Sequence, residues 1–226
     1  MKTKVLSEWV QNSTWDNSKN IDILYKQRCQ KKTIEMTAHK QVVSILKEIC
    51  KKGESVLDIG CGSGYLYHSF INKKLDVEYF GIDASKKLLN IGKKYLPKFG
   101  LDNKRLIHSR FEDLSVKFDH IVCINVLTYH DNLFKPLDIF LKYAKKSIIL
   151  RESFAIKSNY KYVRDNYLND GVDLKTYINT YSMNEVRKFL NNHKVSYKFI
   201  KDNYTNGKMQ KVIGHNHYWK FLKILK

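Results

Sequence analysis

Residues 54–66 read ESVLDIGCGSGYL, and this stretch decides the fold. Val56, Leu57 and Ile59 form the short apolar run of a strand buried on both faces, with Asp58 set into it just before it gives out. Gly60, Gly62 and Gly64 follow at alternate positions, and Tyr65, Leu66, Tyr67 and Phe70 begin a helical pattern. Glycines between strand and helix permit positive φ and let a ligand approach bare backbone. The helix start beyond them offers unpaired N–H groups. Such a turn suits the polar end of a nucleotide-like cofactor.

The details narrow the choice. A dinucleotide turn needs G-x-G-x-x-G, but the sixth position counted from Gly60 is Tyr65. No G-K-[ST] follows, which argues against a phosphate-cradling loop. The Asp58 carboxylate would repel a pyrophosphate and attract a cation such as an α-ammonium group. D-x-G-x-G-x-G over Asp58–Gly64 resembles the first motif of class I S-adenosylmethionine (SAM)-dependent methyltransferases. Asp83, which closes the apolar strand Val77–Ile82, stands where an acidic residue holds two ribose hydroxyls.

That resemblance is strong over residues 50–150 and implies further site residues. Ala84 follows Asp83. Phe111-Glu112-Asp113-Leu114 resembles the third cofactor motif, in which an acidic side chain accepts from the adenine amino group; Glu112 and Asp113 are both candidates. The strand Phe118–Ile124 delivers Asn125, Val126, Leu127, Thr128, Tyr129 and His130 at the carboxyl end of the sheet. Asn125 and Val126 are cofactor candidates there; Tyr129 and His130 are catalytic candidates, with His130 the first choice of base. N-terminal helices of similar enzymes cover the cofactor, which makes Tyr25 and Arg28 candidates to reach the SAM carboxylate or an anionic substrate.

Repeated strand–helix units predict an α/β fold: a doubly wound, mostly parallel seven-stranded sheet with helices on both faces. Residues 1–52, with Trp9, Trp15 and a helix over Thr33–Lys52 ended by Gly53, are expected to form an N-terminal helical cap. Residues 53–226 form the core, with an insertion at about 152–181 whose tyrosines (160, 162, 167, 177 and 181) either line a pocket or pack as a covering layer. Ser85 and Ser182 are expected helix caps. Val195–Ile200 and Val212–Ile224 read as a closing hairpin around Asn206-Gly207.

At 226 residues with 43% hydrophobic and 13% aromatic content, the chain is globular. Its formal charge is +19, but the lysines are scattered as pairs and no block marks a nucleic-acid arm. They read chiefly as a solvated surface, with an anionic small acceptor as the natural partner and RNA as the less favoured one. The four cysteines make no C-x-x-C pair and read as reduced thiols of a cytoplasmic protein. No signal peptide or membrane span is expected. His215 and His217 form an H-x-H pair that faces the acceptor pocket or packs at a sheet edge; no metal site is expected.

Methyl transfer from a sulfonium requires nucleophile, methyl carbon and sulfur held in line away from water. An N-P-P-[YF] signature, used on nucleobase and amide nitrogens, is missing after the fourth strand. The sequence therefore points to a SAM-dependent methyltransferase of a small, anionic or sugar- or nucleotide-linked acceptor, at oxygen. The alternatives are an RNA methyltransferase and a non-catalytic SAM-binding protein.

Overall fold

The computed structural model describes residues 14–164, 168–212 and 214–226; Trp9 and Tyr167 lie outside them. Six α-helices are described: α1 (Lys19–Cys29), α2 (Thr37–Lys47), α3 (Tyr67–Asn72), α4 (Lys86–Tyr95), α5 (Phe134–Tyr143) and α6 (Met183–Asn192). Strands β1 (Ser55–Ile59), β2 (Glu78–Asp83), β3 (Leu106–His108), β4 (Phe118–Ile124) and β5 (Ala144–Ala155) pair in parallel, in the order β3-β2-β1-β4-β5. After them come β6 (Tyr162–Arg164), β7 (Lys175–Tyr177), β8 (Tyr181–Ser182), β9 (Ser196–Lys201), β10 (Gln210–Val212), β11 (His215–His217) and β12 (Trp219–Leu225). β12 runs antiparallel between β5 and β9 and completes the sheet.

The chain leaves β1 toward β2 and β3 on one side, then returns to place β4 and β5 on the other. The crossovers therefore diverge above β1 and β4, where open α/β sheets leave a crevice at their carboxyl ends. Alternation along the strands feeds two cores. Leu57, Ile59, Ile121, Ile148 and Leu150 pack against Leu137 and Phe140 of α5 and Val186 and Leu190 of α6. Val56, Val122 and Ile149 turn the other way, toward Val42, Val43 and Leu46 of α2, Phe70 of α3 and Leu89 of α4.

Most expected elements stand where the pattern placed them. Ser85 caps α4 by accepting from the Leu88 amide at 3.1 Å, and Ser182 caps α6 from Glu185 at 3.5 Å. Three details differ. The sheet has an eighth strand, because β5 runs on through Ala155 and takes up the two-residue β8. α2 is shorter than Thr33–Lys52: Ile34 is 92% exposed and off the apolar face, and the helix ends before Gly53. Finally, Val212–Ile224 is not one strand. β10 and β11 form their own ribbon, and the chain is pinned at Tyr218, whose amide donates to Ser153 Oγ at 3.0 Å while its carbonyl accepts from Phe154.

Candidate active site

The carboxyl ends of β1 to β4 surround a cavity of about 350 Å³, roofed by α1 and by the short 3-10 turn Thr14–Asn17. That volume falls at the lower end of the range of small-molecule sites. Three contacts hold the roof onto α4: Ser85 donates its hydroxyl to Asp16, and Lys87 donates to the Asp16 carbonyl at 3.0 Å and pairs with Asp22 at 2.6 Å.

Asp58 and Asp83 form its floor. Asp58 is 4% exposed and accepts a 2.8 Å bond from the Tyr79 hydroxyl. Burial raises its pKa to about 7; the Tyr79 bond opposes the shift and neighbouring Asp83 adds to it. Asp83 accepts the Gly62 and Ser85 amides, each at 2.7 Å. Burial raises this carboxyl to about 6 against the pull of those two amides. Buried Asp58 and partly buried Asp83 face one cavity, and a bound cation would favour their ionised forms.

The three glycines of the turn all have positive φ (68°, 58° and 75°). A Cβ on Gly60 would stand 2.3 Å from a Val126 methyl, and one on Gly62 would stand 2.3 Å from the Tyr25 ring. These glycines are thus needed by the chain's own packing as well as by backbone conformation. Gly64 faces Leu106 of β3 instead and does not line the cavity.

Of the remaining expected residues, Arg28, Ala84, Glu112, Asn125, Val126, Tyr129 and His130 all line the cavity. Asp113 does not: it is exposed on the outer side of its turn, so the choice between the two acids falls to Glu112. One oxygen of Glu112 pairs with Arg110 at 2.7 Å and lies 3.8 Å from His130 Nε2. The other, Oε2, is buried with no partner among the described residues. An orphaned acceptor in a cavity of this kind fits an amino group such as that of adenine. The donor set, two acids on the floor and this lone acceptor on the wall, therefore suits SAM.

Arg28 stacks over Tyr65 at 4.9 Å and donates to its hydroxyl at 2.8 Å. His39 lies on the same ring at 4.6 Å, where burial and the nearby Arg28 and Arg151 lower its pKa to about 3 and keep it neutral. His130 has its Nδ1 2.7 Å from Asp131 and its ring 5.2 Å from Phe111. Tyr129 meets Trp15 edge to face at 5.7 Å.

The alternatives that the sequence leaves open are decided here. None of the described insertion tyrosines lines the cavity; Trp15, Tyr25, Tyr65 and Tyr129 supply its aromatic walls. Tyr181 is buried and donates to the Leu127 carbonyl at 2.5 Å, while Tyr160 and Tyr162 are more than half exposed. His215 and His217 also stay out. His217 is fully buried, flat against Trp219 at 4.6 Å, and burial lowers it to about 4. At the opposite end of the sheet Cys50, Glu54 and His120 converge, but Glu54 is already engaged by Lys146 and lies 2.7 Å from His120 Nε2. All four cysteines are free thiols.

Two residues of β5 that do not line the cavity support it from the neighbouring strand. Arg151, 3% exposed, donates to Asp202 at 2.7 Å and to the Asn125 side chain at 2.5 Å. Glu152, fully buried, accepts from the backbone of the loop after β4. The signal was an ionisable pair inside the otherwise apolar run SIILRESF.

The pair of acids yields a pH prediction. SAM affinity is expected to rise between pH 5.5 and 7.5 and to level off above, with proton release on binding, because a cationic ligand favours ionised Asp58 and Asp83. The ligand-free protein should behave in the opposite sense. Its raised carboxyls hold protons between about pH 4 and 7 that the unfolded chain has lost, so their contribution to stability is present at low pH and fades as pH rises through that window. Calorimetric titrations in buffers of different ionisation enthalpy read both quantities; an affinity flat over this range would refute the assignment.

Comparison with known proteins agrees with this geometry. The family described as a methyltransferase domain matches residues 50–206. Over 101 residues the chain is 32% identical to the mitochondrial ubiquinone biosynthesis O-methyltransferase of Schizosaccharomyces pombe, covering 43% of this chain and 35% of that protein. It is 35% identical over 72 residues to the ribosomal RNA small subunit methyltransferase G of Porphyromonas gingivalis, covering 32% of this chain and 33% of the relative. The matches thus span only about a third of the length of these curated relatives. Magnesium protoporphyrin IX methyltransferase of Synechocystis PCC 6803, crystallised with bound SAH, superposes over the whole of both chains with a TM-score of 0.61 at 18% identity. The chain belongs to the methyltransferase-domain family and carries the class I SAM-dependent methyltransferase fold.

Proposed function

We propose that the protein transfers a methyl group from SAM to a small anionic acceptor, at oxygen. The observation that carries this reading is the roofed cavity itself, in which carboxylates for the cofactor and two arginines, Arg28 and Arg110, share one enclosure. SAM supplies an electrophilic methyl group on a sulfonium. Asp58 would hold its ammonium, Asp83 its ribose hydroxyls and Glu112 its adenine amino group, while Arg28 is placed for a carboxylate.

The division of labour at the acceptor follows from the charges. An alcohol needs help losing its proton. His130, with Glu112 and Asp131 on its two sides, is positioned to take it. Trp15 of the 3-10 turn, with Tyr25 and the rest of α1, acts as the cap that excludes water, so that positioning and desolvation do the remaining work. The insertion is tied to this mouth by Asn179, which donates from its backbone to Thr128 and from its side chain to the His130 carbonyl at 2.7 Å.

The test is methyl-labelled SAM incubated with a small anionic metabolite fraction and, separately, with total RNA. Label entering the small-molecule pool supports the proposal. His130→Ala should then lower kcat by about 10²- to 10⁴-fold with little change in KM for SAM. Label entering RNA instead would favour the second reading, for which the net charge of +19 and the likeness to a ribosomal RNA methyltransferase speak. SAM binding without turnover on either pool would favour a non-catalytic role.

A further inference from the structure

We propose that Glu152 is a positioning residue: its carboxylate holds the loop of residues 126–128, which carries the cavity-lining Val126, Tyr129 and His130, in its binding shape before any ligand arrives. One oxygen accepts the amides of Val126 and Leu127, both at 2.9 Å, and the other accepts Thr128 at 2.8 Å. Three consecutive backbone donors thus converge on one side chain from the neighbouring strand.

The burial makes this arrangement specific. Glu152 is 0% exposed, and placing a carboxylate there is costly unless donors surround it. The neighbouring cation offers no pairing. The Arg151 guanidinium is directed to Asp202 and Asn125, so the counter-dipoles to Glu152 are the loop amides. An apolar side chain would fill the same place in β5 more easily; what the carboxylate adds is a set of acceptors for a loop that otherwise leaves three amides unsatisfied.

The loop needs such a template. It enters through Asn125 at φ +57°, a left-handed conformation that only Gly and a few polar residues adopt readily. The Asn125 amide is itself anchored on the Arg151 carbonyl at 2.8 Å. The loop then puts Val126 against Gly60, Tyr129 against Trp15 and His130 beside Glu112. If Glu152 releases it, the cofactor turn, the roof and the base all lose their facing wall. Adjacent residues of β5 thus share the work, Arg151 setting Asn125 and Glu152 setting the next three.

Glu152→Gln tests this with nearly the same volume. The amide keeps one acceptor oxygen but turns an NH₂ toward a backbone N–H. The dissociation constant of S-adenosylhomocysteine should rise about ten- to a hundredfold, the size expected for losing a hydrogen bond to a charged group, because only a fraction of molecules would hold the competent loop. Amide exchange at residues 126–128 should accelerate while that of β4 stays as in the wild type. Leu190→Ala, a core truncation in α6 remote from the cavity, serves as the control: it should lower Tm yet bind within twofold of the wild type. Wild-type affinity in Glu152→Gln, or unchanged protection of the loop, would overturn the proposal. If the variant does not fold, the ligand-free wild type decides. Loop amides exchanging about a hundredfold slower than those of the exposed Asn206 and Gly207 support a preset wall; equal rates overturn it.

Discussion

Arg151→Ala is expected to destabilise the protein by about 3–5 kcal/mol, the usual cost of removing one partner from a buried ion pair. Arg151 and Asp202 are 3% and 0% exposed, with a 2.7 Å contact between them. Their pairing holds the Asp202 carboxyl below its ordinary range despite burial, helped by Thr205, whose amide and hydroxyl both donate to it. Without the guanidinium that charge stays in the sheet unanswered. The stacking of Arg151 on Trp219 at 4.6 Å is lost as well. For a chain of this length the cost corresponds to a Tm lower by about 6–20 °C, read by calorimetry or circular dichroism. Arg151→Lys should recover only part of it, because an ammonium cannot reach Asp202 and Asn125 with the same fork. A Tm within 2 °C of the wild type would show that the pair is not the anchor its burial implies.

The second large effect is on binding. Asp83→Ala should weaken SAM and S-adenosylhomocysteine alike by about 10²- to 10⁴-fold, taking roughly 1.5–3 kcal/mol for each of two hydrogen bonds from a ribose to a charged acceptor. The effect has an internal part too, since the Gly62 and Ser85 amides lose their acceptor and the turn loses its brace. Asp58→Ala makes the informative comparison. Its expected partner is the ammonium group alone, so adenosine, which has no ammonium, should bind Asp58→Ala nearly as it binds the wild type and bind Asp83→Ala poorly. Equal loss of adenosine in both variants would show that the two acids do not divide the cofactor as assigned.

Much of the site was legible because its parts are local. The turn from Asp58 to Gly64 is seven consecutive residues whose chemistry is visible without tertiary contacts, and Asp83 and Glu112 each close a strand or open the turn after it. A strand–turn–helix unit places its last strand residue and its glycines at the sheet's rim wherever the unit occurs, so Asp58, Asp83, Asn125 and Val126 had to meet. The choice between Glu112 and Asp113 had no such basis. Neighbouring residues of a 3-10 turn point in different directions, and only the packing of Phe111 turns one of them inward.

The sequence by itself determined the parallel strand–helix units from β1 to β5, the caps at Ser85 and Ser182 and the acidic floor of the cavity, because apolar period, capping chemistry and crossover handedness are properties of short segments. Only the tertiary structure decided which residues far apart in the chain serve one another. It brought Tyr25 over Gly62, sent His217 into the core beside Trp219 rather than to the site, left the insertion tyrosines outside the cavity and aimed Glu152 at the backbone of the loop after β4. Each of these is a contact between segments distant in the sequence or the shape of a loop, and neither leaves a period to read. Burial energy shared over the whole sheet chooses them, so the ionisable pair Arg151-Glu152 could be noticed in the sequence but not given its partners.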